Sequence, residues 1–315
     1  MSLYRELAQA RAAWTRPVVT IGNFDAAHLG HQALVAETRR LAGVAGVSAA
    51  ALTFEPHPVR LFRPDAPPFL LVSLEERARL LVEGYGLDGV MALAFDRAMA
   101  GLSPETFAAQ VLVDGLGVSH VVVGEDFHFG AKRAGNGETL RALGEAMGFG
   151  VTVCAPVCVA GDVASSSRVR EALREGDVEA AAALLGRPHE LVGRVVHGDA
   201  RGRTMGYPTA NVATTNPLLP RDGIYTSRLA VEGFGVLDAI SYIGARPTFY
   251  GEEGLRVVET FVLRWDEARP LDLYDRDARV ALLEFIRPDA AFSDAESLMA
   301  QMDADVARAR AFFAR

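Results

Sequence analysis

Two histidines stand three residues apart where a predicted strand gives way to a predicted helix, in the stretch IGNFDAAHLGHQ (Ile21–Gln32). The first turn of a helix attracts phosphate, because it presents unpaired N–H groups and the positive end of the helix dipole. His28 and His31 are spaced to face the same way across that turn, and each imidazole can donate a hydrogen bond to a phosphoryl oxygen. Two alternatives stay open at this point: a zinc site, for which the sequence offers no obvious further ligands, and plain core packing.

Three more polar stretches, TFEPHP, VGEDFHFG and SSSRVREAL, each follow a predicted strand. The side chains in them that could take part in chemistry are His57, Asp126, Phe127, Phe129, Ser165, Ser166 and Arg168. Taken singly, each stretch can be explained as a turn, a helix cap or a solvated arginine. If the strands are parallel, all of these stretches meet at one edge of the sheet, where ligands bind in open α/β folds.

The elements up to residue 186 support a parallel sheet. Five apolar segments alternate with helical patterns, and they are RPVVTIG, VSAAALTF, GVMALAF, SHVVVG and VTVCAPV. Nearly continuous apolar strands that alternate with helices predict a parallel sheet covered on both faces. Ser103, Pro104 and Glu105 predict the start of one of the helices, because they combine an N-cap, a first-turn proline and a first-turn acid.

The pattern of predicted secondary structure changes after residue 186. Short strand-like segments separated by Gly, Pro and Asp predict an antiparallel barrel or sandwich, and a final amphipathic stretch predicts a helix packed on it. We therefore expect two domains, residues 1–186 and 187–315, with the boundary near Gly186–Leu191.

A second candidate site lies in VVHGDARGRTMGYPTANV (Val195–Val212), a glycine-rich segment with arginines that lacks Walker A spacing. Thr209 and Asn211 are two residues apart on its extended end, so their side chains share one face. Neutral oxygen ligands beside ATP phosphates suit Mg²⁺. Further on, Glu259 interrupts an apolar row, which suits a proton acceptor for a hydroxyl group. The alternatives are an ordinary glycine-rich turn before a strand, and a rim glutamate paired with an arginine.

The composition is that of a globular protein. The chain has 315 residues, half of them hydrophobic, and a formal net charge of −8. Nucleic-acid-binding proteins usually carry a basic patch, and no such stripe is evident. No apolar run reaches the roughly 18 residues that cross a bilayer, and the first residues do not have a signal-peptide pattern. We expect a cytoplasmic protein with no nucleic-acid or membrane partner, and we expect Cys154 and Cys158 to be small buried residues.

The ordered motifs GNFDAAHLGH, TFEPHP, GEDFHFG and SSSRVR resemble the FAD synthetase module of bacterial bifunctional riboflavin kinase/FAD synthetases. That module has a Rossmann-like nucleotidyltransferase fold. The resemblance implies that His28 and His31 stabilise the α-phosphate of ATP while the FMN phosphate attacks and pyrophosphate leaves. The other ATP and phosphate contacts that it implies are Gly22, Phe24, Asp25, Ser165, Ser166 and Arg168. The implied flavin and nucleotide pocket contains His57, Asp126, Phe127 and Phe129.

The later motifs GRTMGYPTANV, IGARPTF, VVETFVL and LDLYDRDARVALLEFIR resemble the riboflavin kinase module of the same family, a six-stranded antiparallel barrel with a C-terminal helix. The resemblance implies that Thr209 and Asn211 bind Mg²⁺ and ATP, that Glu259 is the general base for the riboflavin 5′-hydroxyl, and that Arg287 lies near the flavin. The remaining implied ATP contacts of the kinase are Gly198, Arg201, Gly202, Thr204 and Gly206.

The resemblance covers residues 16–312 and implies two reactions, riboflavin to FMN and then FMN to FAD. ATP, riboflavin, FMN, FAD and pyrophosphate are the implied small-molecule partners, with FMN and FAD as substrate and product rather than redox cofactors. The sequence departs from the family pattern at Ala26 and Ala27, where Gly-Val is usual, and at Tyr242 and Asp275, which replace Asn and Gly. The alternatives are a kinase with a weakened adenylyltransferase site and a flavin-binding regulator without turnover.

Overall fold

The computed structural model describes residues 2–197, 207–245, 256–264 and 272–315. The chain forms two compact units that meet in sequence between Ser166 and Ser167. The second unit therefore includes two helices that precede residue 187, while the predicted domain boundary at residues 186 and 187 stays a prediction.

The first unit is built on a six-stranded parallel sheet with the order β1-β4-β3-β2-β5-β8. Its strands, together with those of two small hairpins, are β1 (Leu3–Tyr4), β2 (Val18–Ile21), β3 (Ala49–Glu55), β4 (Gly89–Ala94), β5 (His120–Gly124), β6 (His128–Phe129), β7 (Gly135–Asn136), β8 (Gly150–Cys154), β9 (Cys158–Val159) and β10 (Asp162–Val163). The strand order reverses direction between β2 and β5, which opens a crevice beyond their carboxyl ends. The sequence had predicted the five longer strands and not the edge strand β1.

Helices cover both faces of this sheet. They are α1 (Leu7–Ala13), α2 (Leu29–Ala45), α3 (Pro58–Phe62), α4 (Leu74–Arg79), α5 (Arg97–Ala100), α6 (Pro104–Phe107) and α7 (Gly137–Met147). Alternate residues of β2 belong to two separate cores: Val19 and Ile21 pack with α1, α6 and α7, whereas Val18 packs with α2 and α4. The doubly wound arrangement expected from the apolar strands is therefore confirmed.

Two of these helices continue as π-helices, α4 through Leu80–Gly84 and α6 through Ala108–Leu116. The predicted start of α6 is confirmed, because the Ser103 hydroxyl accepts a hydrogen bond from the N–H of Thr106 and Pro104 occupies the first turn.

The expectation of two buried cysteines is wrong. Cys154 ends β8 and is half-buried, and Cys158 is exposed on the hairpin strand β9. The prediction treated the segment VTVCAPVCV as one continuous strand, in which both cysteines would be buried. The sheet instead ends at Cys154, and the following residues leave it for the small hairpin.

The second unit is a closed six-stranded antiparallel barrel with helices on its outside, as expected. Its elements are α8 (Ser166–Glu175), α9 (Val178–Leu185), β11 (His189–Val196), β12 (Thr209–Thr214), β13 (Gly223–Val231), β14 (Gly235–Ala245), β15 (Arg256–Val262), β16 (Asp277–Pro288) and α10 (Ala295–Phe313). The barrel order is β11-β12-β15-β14-β13-β16. The helix α10 buries Val306 and Ala309 against Ile240, Phe261 and Ile286 on the outer face of the strands.

The barrel interior contains a short chain of buried hydroxyls. Ser241 Oγ lies 2.8 Å from both Ser227 Oγ and Thr260 Oγ1, and all three residues are fully buried. Because side chains alternate along a strand, Thr260 points inward and its neighbours Glu259 and Phe261 point outward, toward the face that carries α10.

Candidate active sites

The two histidines of the first motif lie at the carboxyl end of β2, in the middle of the sheet. A single 3₁₀ turn over Asp25–Ala27 leads into His28, which is the N-cap residue of α2, and His31 lies in the first turn of that helix. Their rings stack with centroids 3.7 Å apart and an interplanar angle of 27°. Gly30 leaves room for this arrangement, because a Cβ there would lie 3.1 Å from the His28 ring.

The loop before the histidines has a left-handed backbone at residues other than glycine. Phe24, Ala26 and Ala27 have φ angles of 50°, 62° and 47°. Such angles are strained for residues with a side chain, at roughly 1–2 kcal/mol each. The surrounding structure imposes them, since all three side chains are buried. The departure from the family pattern at residues 26 and 27 therefore leaves the loop in a conformation that usually favours glycine.

We expect the substitution Ala26→Gly to change adenylyl transfer little. The Ala26 methyl group is 1% exposed, so it does not restrict access to the loop. Relief of left-handed strain, about 1–2 kcal/mol, opposes the larger conformational entropy of unfolded glycine, about 0.4–1 kcal/mol, and the loss of a buried methyl group, about 0.8 kcal/mol. Titration with ATP should give KM within about twofold, and denaturant unfolding should give a stability change below about 1 kcal/mol. A large drop in KM would show that the alanine does restrain phosphate approach.

Asp25 anchors the loop rather than pointing out of it. Its carboxylate is 1% exposed and accepts hydrogen bonds from the N–H groups of Leu71 and Val72, at 2.9 and 3.4 Å. Its backbone carbonyl accepts a hydrogen bond from the Ser166 hydroxyl at 3.0 Å. The histidine loop and the start of the serine motif are thereby in direct contact, as their positions after parallel strands predicted.

The aromatic residue before Asp25 supports the histidine pair. Phe24 is fully buried, and its ring meets that of His31 edge-on with centroids 5.1 Å apart. A Cβ at Gly22 would lie 3.1 Å from the Phe24 ring. Gly22 and Phe24 thus shape the loop, and direct contact of either with ATP stays a prediction.

The structure places the other predicted pocket residues after the strands on either side of β2. His57 follows β3, caps α3 by accepting the N–H of Val59, and meets Phe69 edge-on. After β5, Asp126 is exposed, whereas Phe127 stacks on Phe129 with ring centroids 5.4 Å apart. Phe129 is 7% exposed and belongs to the core of the sheet. It can therefore shape a pocket only by supporting Phe127.

Ser165 also lies in the first unit, beside Ser166. Arg168 belongs to the second unit, on α8, so its role at the phosphates stays a prediction.

Sequence reasoning missed Arg77, which influences the charge of the histidine pair. Burial, followed by the charges of His28 and Arg77, holds the pKa of His31 well below its ordinary value. Arg77 is fully buried in the helix α4. The segment SLEERARLL contains four charged residues, and no feature of the sequence marks Arg77 as buried.

In the second unit, three polar side chains from neighbouring strands form one row. Asn211 on β12 pairs with Glu259 on β15, and Glu259 pairs with Tyr242 on β14. Directly paired residues of antiparallel strands project on the same face. Thr209, two residues before Asn211, lies on that face as well and pairs with Phe261. The predicted magnesium ligands and the predicted base are thereby brought together on the outer face of the barrel.

Tyr242, a departure from the family pattern, is held firmly in that row. Its hydroxyl donates a hydrogen bond to Asp289 Oδ2 at 3.0 Å. Burial, the bond to Asp289 and the nearby charges of Asp289, Asp222 and Glu259 all raise the pKa of Tyr242 above its ordinary value. The phenol therefore stays protonated and neutral next to Glu259. The other departure, Asp275, has a φ of 59°, which is the left-handed region that a glycine would adopt.

Arg287 connects β16 with the final helix. Its guanidinium donates from Nε to both carboxylate oxygens of Asp305 on α10, and from Nη2 to Oδ2 of the same carboxylate. Asp305 is 4% exposed, so the pair lies within the structure. Tyr207 makes a second connection through its hydroxyl bond to Asp303 of the same helix. The contact of Arg287 with flavin that the resemblance implied stays a prediction.

The remaining predicted kinase residues, Gly198, Arg201, Gly202, Thr204 and Gly206, lie outside the described residues. In the part of the chain that the structure describes, the helices are all too short or too polar to span a membrane.

Comparisons with known proteins cover both parts of the chain. Residues 10–168 match the family model for FAD synthetase, and residues 185–313 match the one for riboflavin kinase. A bifunctional riboflavin kinase/FMN adenylyltransferase of Pseudomonas fluorescens is 38% identical over 314 residues, which cover 100% of this chain and 98% of the relative. The protein of that description in Escherichia coli K12 is 38% identical over 296 residues, covering 94% of this chain and 92% of the relative.

Among solved structures, a protein of Streptococcus pneumoniae described as a macrolide-efflux protein superposes with a TM-score of 0.85 and 26% identity, covering 98% of both chains. The fold of the whole chain is thus shared with a solved structure. Because two family models match the chain and a full-length relative is 38% identical to it, the chain belongs to the bifunctional riboflavin kinase/FMN adenylyltransferase family.

Proposed function

We propose that this enzyme phosphorylates riboflavin at the row of Asn211 and Glu259 and adenylylates FMN at the stacked histidines of the first unit. The observation that carries the proposal is the arrangement at the end of β2. There, a pair of stacked imidazoles occupies a helix N-terminus, and the Ser166 hydroxyl is bonded to the same loop.

For adenylyl transfer, His28 and His31 donate hydrogen bonds to oxygens of the α-phosphate. Attack by the FMN phosphate increases negative charge on those oxygens, so donors fixed in advance stabilise the transition state more than the ground state. The FMN phosphate is already ionised at neutral pH, and no strong base is needed. The low pKa of His31 keeps its ring neutral, so this ring contributes an N–H donor rather than a full charge. Ser165, Ser166 and Arg168 hold the departing phosphates.

For riboflavin phosphorylation, Glu259 accepts the proton of the 5′-hydroxyl as that oxygen attacks the γ-phosphate of ATP. Phosphoryl transfer depends chiefly on positioning and charge neutralisation. Glu259 is half-buried, beside Asn211 on one side and Tyr242 on the other. These neighbours restrict where its carboxylate can lie.

Mg²⁺ fits the same row. Thr209 and Asn211 offer two neutral oxygen donors on one face of β12, and both are half-buried. Mg²⁺ prefers oxygen ligands and keeps several of its waters. When bound with ATP, Mg²⁺ neutralises part of the phosphate charge. We propose that Thr209 and Asn211 hold it, that the partners are ATP, riboflavin, FMN, FAD and pyrophosphate, and that the reactions take place in the cytoplasm.

One assay tests the two activities together. Protein incubated with riboflavin, ATP and Mg²⁺ should produce FMN first and FAD later, as resolved by chromatography, and omission of Mg²⁺ should stop FMN formation. FMN without FAD, even when FMN is supplied, would show that only the kinase site is active. Bound flavin without any product would show a regulator instead of an enzyme.

A further inference from the structure

Arg77 is a buried charge next to the histidine loop. Its side chain is fully buried, and Nη1 donates a hydrogen bond to Thr53 Oγ1 at 3.1 Å. The Thr53 hydroxyl in turn donates to the backbone carbonyl of Asn23 at 3.3 Å. Asn23 opens the loop that leads to His28, so a continuous chain of hydrogen bonds links the guanidinium to the start of that loop.

The rest of the guanidinium is unusual for a buried group. Among the described residues, neither Nε nor Nη2 of Arg77 has a hydrogen-bond partner, although both atoms are buried. A buried donor without an acceptor costs free energy, and such groups in native proteins call for an explanation. A wholly structural arginine would have its donors paired, because packing and bonding would then be its whole contribution.

A second connection links the histidine loop to the helix that carries Arg77. The N–H groups of Leu71 and Val72 bond to the Asp25 carboxylate, and α4, which carries Arg77, begins two residues after Val72. The loop and the helix are therefore joined at both Asn23 and Asp25. A shift of one would move the other.

Charged groups of the described residues act on both His31 and Arg77. Those that act on His31 are His28 and Arg77, and both disfavour its protonation. Those that act on Arg77 are Asp25, Glu55 and Glu75, which stabilise the guanidinium charge against the effect of burial. Arg77 is thus a fixed cation whose position depends on the same loop that positions the histidines.

We propose that Arg77 is a positioning residue for adenylyl transfer: it holds the histidine loop through Thr53 and places a fixed positive charge beside that loop. The inference rests on the proposed role of His28 and His31. Uncharged rings can stack at 3.7 Å, whereas two imidazolium rings at that separation would repel each other. Because burial and nearby positive charge keep His31 neutral, the loop can receive phosphate without first losing a proton from that ring.

Two substitutions separate the two parts of this role. Arg77→Met removes the charge and the bond to Thr53, while Thr53→Val removes the bond and leaves the charge. Adenylyl transfer from supplied FMN and ATP is measured from about pH 5 to about pH 8, where histidine titrates. We expect both variants to lower kcat by about tenfold, as a displaced catalytic loop would, with little change in KM for ATP. Only Arg77→Met should move the acidic limb of the profile, upward by about one pH unit.

Arg77→Lys is the matched control, because it keeps the charge without the fork of donors. It should restore the acidic limb to its original position while kcat stays reduced. Thermal unfolding and riboflavin phosphorylation, measured on the same preparations, report whether each variant is folded. A merely structural arginine would lower stability in all variants and leave the pH profile of the folded fraction unchanged, which would overturn the proposal.

Failure of this inference is distinguishable from failure of the proposed site. If histidine substitutions leave FAD formation intact, the role of the histidines is wrong. If those substitutions abolish FAD formation but Arg77→Met has the original profile and rate, only the inference about Arg77 is wrong. Should Arg77→Met fail to fold, the pair Thr53→Val and Arg77→Lys decides. An unaltered kcat in both would overturn the proposal, and a reduced kcat with unaltered thermal unfolding and riboflavin phosphorylation would support it.

Discussion

The double substitution of His28 and His31 by alanine is expected to abolish FAD formation from FMN, while riboflavin is still phosphorylated at the original rate. Removal of a single fixed donor to a developing oxyanion typically slows a reaction by about a hundred- to a thousandfold. The double variant loses both proposed donors, so we expect a decrease of at least about a thousandfold in FAD formation. The measurement is single-turnover FAD synthesis from FMN and ATP, followed by chromatography, beside the rate of FMN formation from riboflavin.

His120→Ala is the matched control for that experiment. His120 is half-buried at the first residue of β5, at the opposite edge of the same sheet, where its ring contacts Thr152. This variant loses an imidazole from the same unit and should keep both activities. Equal loss of both reactions in the double variant would indicate a folding role for the histidines. Stoichiometric zinc in the purified unaltered protein would favour the metal site that the sequence left open.

Much of the first site could be predicted, because the segments that follow parallel strands lie close together even when they are far apart in the chain. Once five apolar segments are assigned to one parallel sheet, the residues that follow them must share an edge. The hydrogen bond from Ser166 to the carbonyl of Asp25 joins residues that are 141 positions apart in the chain. It follows the predicted convergence, without any sequence signal specific to that pair.

The roles of individual side chains were less predictable, because they depend on burial. Asp25 was predicted to contact ATP, and that contact stays a prediction; what the sequence did not show is that its carboxylate bonds to two backbone N–H groups inside the protein. Arg77 was not among the predicted site residues, because it is one of four charged residues in the segment SLEERARLL. The apolar periodicity of a sequence gives the buried face of an element on average, but it does not identify the single polar residue that turns inward to meet a polar partner such as Thr53.

In the barrel, too, the face on which a side chain lies was predictable, whereas its neighbours on that face were not. Alternation along β15 correctly placed Glu259 on the face of Phe261, but only the strand register shows that its lateral neighbours are Asn211 and Tyr242. Register depends on pairing between strands that are distant in the sequence, so period-two patterns cannot specify it alone. The buried hydroxyls of Ser227, Ser241 and Thr260 were unexpected for a related reason. Each is acceptable inside the barrel only because the others satisfy its hydrogen bonds.

The second large effect is expected for Glu259→Gln, which should slow FMN formation by about a hundred- to ten-thousandfold, the usual contribution of a general base. The amide keeps the shape of the carboxylate and its reach toward Asn211 but cannot accept the proton of the riboflavin 5′-hydroxyl. Binding of riboflavin and ATP, measured by fluorescence titration, should therefore stay within about threefold of the original affinity, because the ground-state contacts persist. FAD synthesis from supplied FMN should be unaltered, since the histidine site lies in the other unit.

Glu190→Gln tests whether loss of any barrel carboxylate has the same effect. Glu190 is half-buried on β11 and forms an ion pair with Arg279 at 3.4 Å, so its substitution removes a comparable charge away from the row of Asn211, Glu259 and Tyr242. We expect it to leave FMN formation within about twofold, because such partly exposed pairs contribute little. If Glu259→Gln phosphorylates riboflavin at the original rate, Glu259 is not the base. If it loses riboflavin binding as severely as turnover, Glu259 holds the substrate and the proton is accepted elsewhere.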